Sequence, residues 1–152
     1  MRILKAALLA SLLALPAQAQ ESINLTVASS HPTVVPWVGM IKTHFMAKTD
    51  EILEKTGNYK IEWNEAFGGQ LYKANATLTS VEEGITDVGW VFSFLEQAKL
   101  PLSQASSNAP FSTSNPAVQL EVHQELMENN EAFRQEWEQH NLKAVSYTHL
   151  RA

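Results

Sequence analysis

Between residues 23 and 30 the chain reads INLTVASS, apolar and polar side chains taking turns with β-branched residues among them, and this predicts a strand. Pro32 holds His31 toward extended backbone and ends it. The period then lengthens. Pro36 suits a first helical position and Gly57 a helix end. Between them Trp37, Ile41, Phe45, Ile52 and Leu53 make one apolar stripe, so a long amphipathic helix is expected. Alternation returns in YKIEWNEAF (59–67), with Tyr59, Ile61 and Trp63 on one face and Gly68-Gly69 as the stop. Leu71, Ala74, Leu78 and Val81 recur at helical spacing before Gly84. ITDVGWVFS (85–93) is short and nearly all apolar, the pattern of a strand buried on both faces. Residues 95–111, with Pro101 and Pro110, read as a connector. Asn115 and Pro116 open another helix, with Val118, Val122 and Leu126 as its expected buried stripe. Asn129-Asn130 interrupts it, and Phe133 and Trp137 follow one turn apart. NLKAV (141–145) is expected to open a further strand. Strands alternating with helices predict an α/β fold with a parallel sheet.

Residues 1–19 obey a different rule. Arg2 and Lys5 precede the apolar run AALLASLLAL (6–15), Pro16 breaks it, and Ala17-Gln18-Ala19 supplies small residues. This predicts a cleaved secretory signal, cut before Gln20. A membrane span is the competing reading, but about ten apolar residues cannot cross a core that needs roughly 20. The chain has no cysteine, which excludes a lipidated cysteine at the cut and a disulfide-stapled miniature fold. An apolar core has to stabilise it. Without Arg2, Lys5 and Arg151 the basic count falls from 11 to 8 against 16 acids, a net charge near −8. That balance disfavours nucleic acid and anionic membranes as partners. The expected location is the periplasm, with no membrane embedding once the signal is removed.

Open α/β sheets bind ligands beyond the carboxyl ends of their strands. Three such ends are predicted: Ser29-Ser30-His31, Phe67-Gly68-Gly69 and Trp90-Val91-Phe92-Ser93. Hydroxyls, amides beside glycine and large aromatics suit a small polar ligand between apolar walls. Trp90 and Phe92 read equally as core, and the serines as turn residues. Covalent catalysis finds no cysteine, no G-x-S-x-G and no evident serine–histidine–acid set. His31, His44, His123 and His140 match no metal spacing, and His123, among acids in EVHQE, is expected on a solvated helix face. Glu82-Glu83 stands beside a helix stop, where exposed acids are ordinary. No catalytic residue, metal or cofactor is expected.

Taken together, the strand ending in ASSHP, the long helix after it, EAFGGQLYKANATLTSVEEGITDVGWVFS and the APF before the next helix resemble the DctP-type solute-binding proteins of TRAP transporters, the tripartite ATP-independent periplasmic systems. The run from GGQL through VEEGITDVG is the most specific part, and the resemblance extends from Gln20 to about Lys143. It implies a two-lobed, type II periplasmic-binding-protein fold, of which residues 20–144 are the first lobe and the second is lacking. It also implies a small carboxylate ligand, handed to membrane permease subunits that run on an ion gradient, with no chemistry done on it. Carried over by position, Ser29, His31, Trp90 and Phe92 face the ligand, and Trp37 and Phe67 are expected to bind it with them. Some relatives carry a polar side chain where this chain has Phe92, so a more apolar acid is expected here. The family's carboxylate-binding arginine, a planar fork suited to two hydrogen bonds, has no counterpart: between Gln20 and Lys143 only Arg134 occurs, in a helical stretch that reads as surface.

Two other readings compete. A sensory lobe would pass ligand occupancy to a signalling partner, and a secreted enzyme would turn its ligand over. The end of the chain bears on all three. VSYTHLRA (145–152) continues no pattern, and one reading frame of the transposase-end adapter used in sequencing libraries encodes it. Residues 145–152 are therefore expected to be non-native, with the anchoring arginine encoded beyond. On this expectation residues 20–144 alone give no measurable ligand-induced stabilisation.

Overall fold

The computed structural model describes residues 20–109 and 112–145. The expected signal (1–19) and all but Val145 of the expected adapter stretch lie outside the described residues.

β1 (Glu21–Ala28) and β2 (Tyr59–Ala66) pair in parallel over their full lengths, from Glu21↔Tyr59 to Ala28↔Ala66. β3 (Val88–Gly89) pairs in parallel with the other side of β1, through Val27↔Val88 and Ala28↔Gly89. The sheet order is β2-β1-β3, and with the helices around it the fold is mixed α/β. In this order the chain steps one way from β1 to β2 and the opposite way from β2 to β3. Right-handed crossovers put those two connections on opposite faces, so the carboxyl ends of β1 and β3 flank the reversal. Burial follows the same direction: residues 21–24 are exposed, whereas Val27 and Ala28 are fully buried.

The first crossover is the long helix that the pattern predicts, with one irregularity. α1 (Pro36–Met40) passes through a π-helical stretch (Ile41–Met46) into α2 (Ala47–Thr56). Gly57, at φ 68°, closes α2 by donating its amide to Leu53 O at 3.0 Å. Each π turn takes one more residue than an α turn, which rotates the remainder of the helix by about 100°. The stripe therefore does not run straight. Val38, Ile41 and Met46 are buried, but Ile52, expected on the same face, is 55% exposed. Val27 of β1 completes this core, and Phe45, Trp63, Phe67, Val88 and Trp90 pack around it. Trp63 meets Phe45 edge-on with ring centroids 6.0 Å apart, and its indole donates to Asp50 Oδ1 at 2.9 Å.

The second crossover departs further from expectation. Gly68 (φ 79°) and Gly69 (φ 74°) turn the chain, and helix begins only at a 3-10 turn (Ala74–Ala76) leading into α3 (Thr77–Glu82). Leu71 precedes the helix and is 43% exposed. Tyr72 takes the inward place, donating its hydroxyl to Ala28 O at 2.6 Å. Tyr72→Phe leaves that carbonyl short of a donor and is expected to cost about 1–3 kcal/mol in urea unfolding. Burial pushes the Tyr72 phenol well above its ordinary range. The fold favours the neutral phenol, so this contribution is whole below pH 10.0 and is lost as pH rises past it. Alkaline destabilisation should be weaker in Tyr72→Phe than in the parent.

β3 is shorter than predicted and is not buried on both faces. Val88 and Gly89 are half-buried, Ile85 is 49% exposed, and among the described residues β3 has β1 as its single neighbour. α3 covers one face closely because residue 89 has no side chain: a Cβ there would lie 2.7 Å from Val81 Cγ2 and 3.1 Å from the Tyr72 hydroxyl.

The connector holds two 3-10 turns (Ser93–Leu95 and Leu102–Gln104) and a short α4 (Ala105–Asn108). α5 (Pro116–Asn129) and α6 (Glu131–Glu138) start as predicted. The Asn115 and Asn130 side chains accept from the amides of Ala117 and Ala132, each at 3.0 Å. The buried face of α5 is not the expected one. Val118 and Val122 are 41% and 54% exposed, while His123 and Met127 are buried. α6 follows α5 after the extended backbone at Asn130 and touches it. His123 is no solvated side chain. Residues 142–145 form no strand.

Glu82, at the end of α3, gathers Lys99 Nζ at 2.9 Å and His140 Nδ1 at 3.0 Å, joining three separate segments. Lys99 first, then His140, holds its carboxyl below the ordinary value. A depressed carboxyl stabilises the fold above its unfolded value and loses that effect as pH falls. Acid unfolding below pH 4.5 should therefore be less pH-dependent in Glu82→Gln, read by circular dichroism.

Candidate ligand-binding site

The turns after β1 and β2 are bonded to each other before any side chain is considered. Ser29 N donates to Ala66 O at 3.3 Å, Gly68 N to His31 O at 3.0 Å, and Gly69 N to Ser29 O at 2.9 Å. Gly69 lies so near that a Cβ would stand 3.1 Å from Ser30 O. His31 is consequently held at a defined place at the carboxyl end of β1. Ser29 Oγ accepts from the His31 amide at 3.2 Å, and Ser30 Oγ pairs with His31 Nδ1 at 2.9 Å.

Around that imidazole the fold collects rings from three segments. His31 meets Trp37, from the first turn of α1, with centroids 6.1 Å apart, and Phe92, just past β3, at 5.5 Å. Trp37 and Phe92 close the triangle at 6.5 Å with their planes nearly perpendicular. Phe94 extends it, 5.7 Å from Phe92. All four contacts are edge-to-face, the arrangement aromatic rings favour. Trp37 Nε1 is buried and has no acceptor among the described residues.

Of the six residues expected at the site, the structure thus brings His31, Trp37 and Phe92 into one cluster. Ser29 is 2% exposed and serves the turn through its hydroxyl. Phe67 and Trp90 are half-buried and pack against the Val27–Val38–Ile41–Met46 core. Trp37 packs on both that core and the ring triangle. Two participants lie outside the expected set. Phe94 follows Phe92 by two residues, an alternation visible in VFSF. Ser30 is adjacent to two predicted residues, yet its bond to the imidazole depends on a rotamer that no spacing reveals.

A cavity of about 360 Å3 lies elsewhere, lined among others by Met127, Arg134, Trp137, Leu142, Lys143 and Val145. It is formed by α5, α6 and the stretch after them, away from every strand end. Arg134 is exposed there and donates to Glu128 O at 2.6 Å, so its fork is partly occupied. Topology and the clustered rings favour the strand ends over this cavity.

No family model matches the chain, and no curated protein matches it. Among the described residues no group of three histidines or carboxylates is arranged to hold a metal ion, and no helix is long and apolar enough to cross a membrane.

Proposed function

We propose that this chain is the first lobe of a type II periplasmic solute-binding protein of the TRAP class, which binds a small organic acid and passes it to an ion-gradient-driven permease. One observation carries the reading: His31, Trp37 and Phe92 converge beyond the carboxyl ends of β1 and β3, where a sheet of this order offers a ligand crevice. The cluster supplies an apolar wall, a bound imidazole and an indole donor in need of an acceptor, which a carboxylate oxygen satisfies. On this reading the lobe does no chemistry on what it holds. Phe92 favours an acid with an apolar body over a heavily hydroxylated one.

The test is a thermal-shift panel of apolar monocarboxylates, dicarboxylates and sugar acids on the full-length protein. Stabilisation by apolar acids is expected. A response to sugar acids alone would refute the preference assigned to Phe92, and no response to any acid would refute the receptor. Permease genes beside the reading frame are expected as well; a histidine kinase gene there in their place would favour the sensory role.

A further inference from the structure

The ring wall of the candidate site is carried on a 3-10 turn that a side chain from a later turn also braces. Phe92 and Phe94 flank Ser93, whose carbonyl accepts from Glu96 N at 2.9 Å and from the side-chain amide of Gln104. Gln104 is buried, and its amide also donates to Leu100 O at 3.3 Å. The two residues that precede Gln104 are bonded to a carboxylate from a distant helix. Glu136, on α6 and 5% exposed, accepts from the amides of Leu102 and Ser103 and, at 2.6 Å, from the Ser103 hydroxyl. Trp137 Nε1 donates to that same hydroxyl at 3.0 Å. An indole N–H can only donate, so the serine accepts from it and its own proton is directed to Glu136.

We propose that Glu136 is a positioning residue for the candidate site, setting the place of Phe92 and Phe94 through Ser103 and Gln104. Both of its oxygens face donors, and only a group that accepts on both sides fits. The cross-link spans about thirty residues of sequence, from Ser103 to Glu136. It fixes the 102–104 turn, and Gln104 transmits that placement to Ser93. Burial makes the arrangement all-or-none, because donors stripped of their acceptor here have no water to turn to. The effect on affinity rests on the proposed ligand binding; the effect on the rings does not.

The test uses the whole chain labelled with 5-fluorotryptophan, its four indole resonances assigned by single Trp→Phe replacements. Glu136→Gln is isosteric but turns an NH2 toward donors. It is expected to move or broaden two lines, that of Trp137, which shares Ser103, and that of Trp37, which touches Phe92. Gln104→Met keeps the Glu136 contacts and removes only the side-chain amide that bonds Ser93 O and Leu100 O. It is expected to move the Trp37 line and leave Trp137 in place. A Trp37 line unchanged in folded Gln104→Met overturns the proposal, whether or not Glu136→Gln folds. If Trp37 responds while no carboxylate binds the parent protein, the positioning role stands and the receptor reading falls.

Discussion

Leu78→Ala is expected to lower the free energy of unfolding by about 2–5 kcal/mol, the largest stability change of any substitution considered for this chain. Leu78 is fully buried on α3, and α3 is the helix laid against β3. Truncation removes the branched end of the side chain and leaves a void where it was fully enclosed. The matched control is Val122→Ala. Periodicity puts Val122 in a buried stripe, but it is 54% exposed, so its loss should stay within about 0.5 kcal/mol. Urea midpoints at a constant slope measure both. Equal costs would mean that α5 turns the other face inward.

Phe92→Ala is expected to weaken binding of an apolar carboxylate by about 2 kcal/mol or more, as for other central aromatic anchors. That is roughly thirtyfold in Kd. Phe92 is the ring common to three contacts, with His31, Trp37 and Phe94, so its removal opens the triangle rather than trimming an edge. Phe94, 55% exposed and in contact with Phe92 alone among the rings, should lose far less on the same truncation. Titration calorimetry on the full-length protein separates the two. Unchanged affinity in a folded Phe92→Ala protein would move the ligand away from this cluster.

The pattern of the chain was enough to place β1 and β2, the span from Pro36 to Gly57 and the starts of the last two helices. Each of these depends on local chemistry: alternation for a pleated strand, a proline or asparagine at a helix start, a glycine that tolerates the left-handed turn at its end. The ends of β1 and β2 were also legible, and with the first of them the place of His31, whereas β3 stops at Gly89, short of the predicted end at 93. Alternation says where a strand stops, and a parallel sheet makes every stop point the same way.

Facing was decided elsewhere. α5 buries His123 and Met127 and leaves Val118 and Val122 exposed, although both sides carry apolar residues, so its own periodicity does not choose the face. Ile52 faces water because a π-helical stretch earlier in the same helix rotates it away, a change of phase that no repeat of residues announces. Tyr72 replaces Leu71 as the inward residue because its hydroxyl reaches a β1 carbonyl forty-four positions away. Glu136 belongs to the same class. In EAFRQEWEQH it is one acid among several that periodicity assigns to water. Only the folded chain brings three donors to it and makes it a buried anchor. Residue types and their spacing determined the elements and the ends where a ligand is expected; long-range packing, which depends on distances across the chain, decided which faces close and what holds the rings in place.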